Sequence, residues 1–78
     1  MLLIVSQTIE AARKHAEVQG VSSSAWAWIA SPGLFCEYPG ARVVCLPDWT
    51  AHPEADAIRN ELIRVLDAGI VRGQEGCV

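Results

Sequence analysis

Asp48 and His52 stand four residues apart and pair a carboxylate with an imidazole, the two groups of general acid–base chemistry. A turn holding Trp49 separates them, and no third residue is identifiable to orient the imidazole. Both also have ordinary structural roles, since an aspartate after Pro47 suits a turn and His52 precedes Pro53 at a helix start. The non-catalytic role is favoured, and no catalytic residue is assigned. Ser6-Gln7-Thr8 places hydroxyls ahead of a helix, where free N–H groups can face an anion. The segment Val5-Ser6-Gln7-Thr8-Ile9 has no glycine, so the backbone does not readily wrap a phosphate. Helix capping is the expected role of Ser6 or Thr8. His15, beside Lys14 in the middle of a helix, is expected to be solvated. Two histidines and the dispersed Cys36, Cys45 and Cys77 have no metal-ligand spacing, so neither metal nor cofactor is expected.

These residues need elements to position them. Leu2-Leu3-Ile4-Val5 is a continuous apolar run of the kind found in strands covered on both faces, and Arg42 to Leu46 is a second apolar strand signal. Each leads into a helical pattern. The first helix runs from Ile9 to about Gln19, with Ile9, Ala12 and Ala16 at helical spacing and Gly20 as its stop. The second starts near His52-Pro53-Glu54, carries Ala55, Ile58, Leu62, Val65 and Leu66 inward, and ends at Gly69. Ala25 to Ala30 alternates cleanly and reads as a strand with Trp26 and Trp28 on one face. Residues 34–38 read as a short helix, with Ser31 as cap and Pro32 at its first position, rather than an edge strand.

The order predicts an α/β fold, a minimal Rossmann-like β-α-β-(short helix)-β-α domain. Its sheet is three-stranded and mainly parallel, with right-handed crossovers giving the order 2-1-3. Residues 1–72 form the single domain, and 73–78 form a frayed tail to which Ile70 to Arg72 could add a short strand. One sheet face is expected to carry little more than the 32–38 element. That face, or the edge strand bearing Trp26 and Trp28, is the natural place for a dimer contact.

Ligands of open parallel sheets bind at the carboxyl ends of the strands. That rim gathers Ser6, Thr8, Ser31, Asp48 and Thr50 as candidate ligand residues. Trp26, Trp28 and Trp49 are the candidate interaction residues, because tryptophan and arginine dominate interface hot spots. Trp26 and Trp28 serve equally as core packing, whereas Trp49 is expected as an exposed anchor.

Composition narrows the classes. The 78 residues are 51% hydrophobic and 19% charged, too apolar for a disordered chain. The net charge is −3 and the basic residues form no stripe, which disfavours nucleic acid unless the arginines converge in space. The first apolar run ends at Ser6, too short to span a membrane. An odd number of cysteines without a CxxC pair, with Cys45 read as a reduced buried thiol, points to the cytoplasm.

The segments Ile4 to Thr8, Ala11-Ala12-Arg13, Ala25 to Pro32, Arg42 to Trp49 and Pro53-Glu54-Ala55 together resemble small α/β proteins of actinobacterial phages. The resemblance covers most of the chain and brings no activity with it. It implies a protein acting by binding in the bacterial cytoplasm. In rhythm the chain also resembles fragments of RecA-like helicase domains, but their phosphate loop and acidic metal-binding motif are missing. The leading expectation is a non-enzymatic interaction protein that binds itself or a host or phage protein through its tryptophans. The alternatives are a small-molecule or nucleotide binder (or degenerate enzyme) at the strand-end rim, and a nucleic-acid accessory protein.

Overall fold

The computed structural model describes residues 1–73. Four strands, β1 (Leu2–Val5), β2 (Trp26–Trp28), β3 (Arg42–Cys45) and β4 (Arg72–Gly73), alternate with two α-helices, α1 (Ile9–Val18) and α2 (Ala55–Asp67). Two 3-10 helices, Pro32–Glu37 and Trp49–Ala51, complete the chain order. All strand pairs are parallel, and the sheet order is β2-β1-β3-β4. The expected order of the first three strands is therefore present, but the sheet has four strands rather than three. Val71 is buried, and the Arg72 N–H donates to the Ala41 carbonyl at 2.8 Å, which draws the segment after α2 against β3. Gly73 thus belongs to the sheet and not to the tail; residues 74–78 lie outside the described residues.

Apolar clusters pack on both faces of the sheet. On one, Leu3, Val5, Ile29 and Val43 pack with Phe35 of the first 3-10 helix and with Ile58, Leu62 and Val65 of α2. On the other, Ile4 packs with Ala12 and Ala16 of α1, flanked by Leu2, Trp26, Trp28, Val44 and Leu46. Alternation along β1 explains why Leu3 and Ile4 fall into different clusters. The distribution of helices reverses the expected one. The 32–38 element shares its face with α2, and the sparsely covered face is that of α1. For crossovers of one hand, the direction of travel decides the face. The β2-to-β3 and β3-to-β4 connections both move across the sheet one way, whereas β1-to-β2 moves the other.

Both α-helices stop by the same device. After α1, Gly20 adopts φ +70°, its N–H donates to Glu17, and the Val21 N–H donates to Ala16. After α2, Gly69 adopts φ +74°, its N–H donates to Leu66, and the Ile70 N–H donates to Val65. These are Schellman motifs, which need a residue tolerant of left-handed backbone. Ile9, expected within the apolar stripe of α1, is instead 44% exposed at the first turn.

Candidate functional site

The carboxyl ends of β1 and β3 lie side by side, and their outgoing connections leave towards opposite faces of the sheet. In open α/β sheets such a switch point is where a ligand crevice forms. Here the chain itself closes it. Ser6 is fully buried, and its hydroxyl donates to the Thr8 carbonyl at 2.7 Å. Thr8 is the N-cap of α1: its backbone is extended and its hydroxyl oxygen accepts from the Ala11 N–H at 3.2 Å. Trp28 reaches from β2 over the end of β1 and donates its indole N–H to the Ser6 carbonyl at 3.2 Å.

His52 approaches from the other side. It precedes Pro53, which favours the extended backbone that it adopts. The residue is 5% exposed. Nδ1 accepts the Glu54 N–H at 2.9 Å, so the proton of the neutral ring resides on Nε2, which donates to the Ile29 carbonyl at 3.1 Å. The Trp28 and His52 rings lie 5.5 Å apart, tilted by 38°. A tryptophan from β2 and a histidine from beyond β3 therefore meet across the end of β1, where a ligand would otherwise enter.

The Asp48–His52 pair does not form an acid–base dyad, because both ring nitrogens are engaged by backbone groups. Asp48 flanks the second 3-10 helix without a side-chain capping bond, and its Oδ1 is buried with no hydrogen-bond partner. Ser31 precedes the first 3-10 helix, but the expected side-chain cap is not made; only its carbonyl accepts, from Leu34 at 3.2 Å. The start of α2 also moves. The helix begins at Ala55, two residues after Pro53, and the His52 ring serves the N–H of Glu54. Thr50 is exposed and borders an open cavity of about 440 Å³ with His52, Pro53, Glu54, Ala55, Asp56 and Ala57. Of the five candidate rim residues only Thr50 reaches that cavity.

The tryptophans divide by environment. Trp26 and Trp28 are half-buried on the α1 face. Trp49, expected to be exposed, is half-buried: it packs against the α2-side core while the Arg59 guanidinium lies 5.1 Å from its ring centroid. The cation explains the difference, since an arginine on an indole face covers it and gains a cation–π contact. Ile63 is one helical turn beyond Arg59 and 49% exposed, so the two extend the Trp49 surface along α2. Sequence reasoning missed His52 as a closing residue and Arg59 as a partner of Trp49. A periodicity reading of α2 places Arg59 on the polar face, and nothing local links His52 to Ile29, 23 residues away.

Cys36 is a free, exposed thiol beside the Glu61–Arg64 ion pair, receiving an Arg64 N–H at 3.4 Å. Cys45 is disulfide-bonded, which overturns its reading as a reduced thiol and removes that support for a cytoplasmic location. Among the described residues no cluster of three potential metal ligands occurs, and no helix is long and apolar enough to cross a membrane. No protein-family model, curated protein or solved structure matches the chain.

Proposed function

We propose that the protein is a small non-enzymatic interaction module that binds another protein through the surface formed by Trp49, Arg59 and Ile63. The observation that carries this reading is the Arg59-covered, half-buried Trp49 at the edge of α2, continued by the exposed Ile63. Tryptophan and arginine are the residue types that concentrate binding energy, and a ring already held by the core loses little freedom on binding. The Rossmann-like shape supplies the scaffold, while Trp28 and His52 fill the crevice that a nucleotide would use. The phage resemblance makes the partner a phage or host protein in the bacterial cytoplasm, and a second copy of the chain is the alternative occupant.

A photo-crosslinking residue in place of Ile63 tests the reading. Crosslinking to one partner species, lost in an Arg59→Glu background, supports it. Labelling that is diffuse, or indifferent to Arg59→Glu, sinks it. Light scattering on the free protein separates self-association from a different partner.

A second reading is a small-molecule site in the cavity at the start of α2. Its support is the cavity volume, within the range of about 300–1,000 Å³ usual for ligand pockets. The carboxylates of Glu54 and Asp56 make such a site cation-seeking, unlike the phosphate site of nucleotide-binding folds.

A further inference from the structure

Six basic residues dispersed along the sequence form no stripe, yet folding brings two of them together. In the β3–β4 pair Arg42 stands in register with Arg72. Neighbouring strands run about 4.8 Å apart, and residues in register project to the same face. That face is the one carrying α1. Val43 and Val71 belong to the opposite, α2-side core, and Arg42 borders an open cavity together with His15 and Gln19 of α1. Met1, Leu2, Val21 and Ala25 complete this cavity of about 410 Å³, at the amino ends of the strands.

Three features make the arginine pair unusual. Both side chains are exposed, and neither makes an ion pair or a side-chain hydrogen bond among the described residues, where the one salt bridge joins Arg64 and Glu61. Among the described residues no carboxylate lines the adjoining cavity, although acidic residues outnumber basic ones nine to six over the chain. His15, expected to be solvated, is half-buried on the cavity wall. Like charges directly opposite each other in a sheet oppose its pairing. A bound anion turns that repulsion into attraction.

We propose that Arg42 and Arg72 form an anion site for a phosphate-bearing small molecule, a phosphomonoester or diphosphate, whose organic part lies along the cavity walls. Two guanidinium forks present more donors and more positive charge than one carboxylate can satisfy. A phosphate, with three or more acceptor oxygens and up to two charges, matches both forks. Leu2 and Val21 supply an apolar wall, and Gln19 and His15 supply polar groups for orientation. The site lies at the opposite end of the strands from the closed crevice, so it is independent of the Trp49 surface.

The test is thermal unfolding and calorimetric titration of the full chain with pyrophosphate at low ionic strength. At about five times Kd the wild type is expected to gain roughly 4–8 °C in Tm. Arg42→Gln and Arg72→Gln are each expected to weaken binding by about tenfold or more. Without pyrophosphate both variants are expected to unfold at or above the wild-type temperature, since each removes a like-charge contact. That result separates lost binding from lost folding. Equal stabilisation of wild type and variants, or no stabilisation of the wild type, overturns the proposal. A 12-nucleotide single strand is the second arm. Binding no tighter than that of pyrophosphate supports a small ligand; binding about a hundredfold tighter overturns it in favour of a nucleic-acid backbone.

Discussion

Replacing His52 by alanine removes two hydrogen bonds and a ring contact at once, and leaves the Ile29 carbonyl without its partner in a buried place. An unsatisfied buried group costs about 1–3 kcal/mol, so His52→Ala is expected to destabilise the fold by roughly 2–3 kcal/mol in urea unfolding. His52→Gln, whose amide both donates and accepts, is expected to recover part of that loss. Asp48 predicts the opposite sign. Its buried Oδ1 has no partner, so Asp48→Ala is expected to leave stability unchanged or raise it by about 1 kcal/mol. A loss above about 1 kcal/mol would show that the carboxylate has a structural partner after all. The Ser6–Thr8 capping chemistry was legible because it is local. The Trp28–His52 closure was not, because a histidine before a proline looks the same whether its ring meets solvent or a carbonyl 23 residues earlier.

The helices and the strands β1 and β3 were read nearly at their true limits because period, caps and stop glycines are all short-range signals, whereas β2 pairs only over Trp26–Trp28 of the expected Ala25 to Ala30. Two helix starts depart from the local signals. Ser31 has the right type for a cap but makes no capping bond, and Pro53 has the right type for a first helical residue, yet α2 begins two residues later. At Pro53 the His52 ring, itself bonded to the Ile29 carbonyl, takes the Glu54 N–H in place of a helix beginning at the proline. At Gly69 no atom crowds a hypothetical Cβ, but φ is +74°, so Gly69→Ala is expected to cost about 1 kcal/mol through backbone strain alone. Thermal unfolding measures it, and an unchanged Tm would remove the left-handed requirement. On the outer side of α2, Arg64 hydrogen-bonds both Glu61 oxygens at 2.7 Å and holds that carboxyl below its ordinary pKa. A lowered acid pKa favours the folded state above the ordinary carboxylate value, and the contribution disappears as pH falls through the lowered value. Glu61→Gln is therefore expected to separate slightly from wild type in urea midpoint at neutral pH and to converge with it as the pH falls through the lowered pKa of that carboxyl.

One core cluster draws on residues from Leu3 to Val71, and the other, built on Ile4, Ala12 and Ala16, is flanked by Val44 and Leu46, so both clusters join the two halves of the chain. Unfolding is expected to be a single transition in which tryptophan fluorescence and far-ultraviolet circular dichroism coincide. Two separated transitions would divide the molecule at the turn around Pro39-Gly40. At this scale the α/β class was legible from the alternation of strands and helices. The distribution of helices over the two faces was not, because it depends on a fourth strand of two residues that pattern alone barely marks.

The strand order β2-β1-β3-β4 has a consequence for symmetry. The units β1-α1-β2 and β3-α2-β4 are two copies of one motif, related by an approximate twofold axis that runs between β1 and β3, parallel to the strands. The axis carries α1 onto α2 and Gly20 onto Gly69. What breaks it is the 3-10 helix at Pro32–Glu37, which fills the outer half of one face beside α2. Its twofold counterpart is the outer half of the α1 face, over β3 and β4, where the chain supplies no covering segment among the described residues. Arg42 and Arg72 stand on that vacant half.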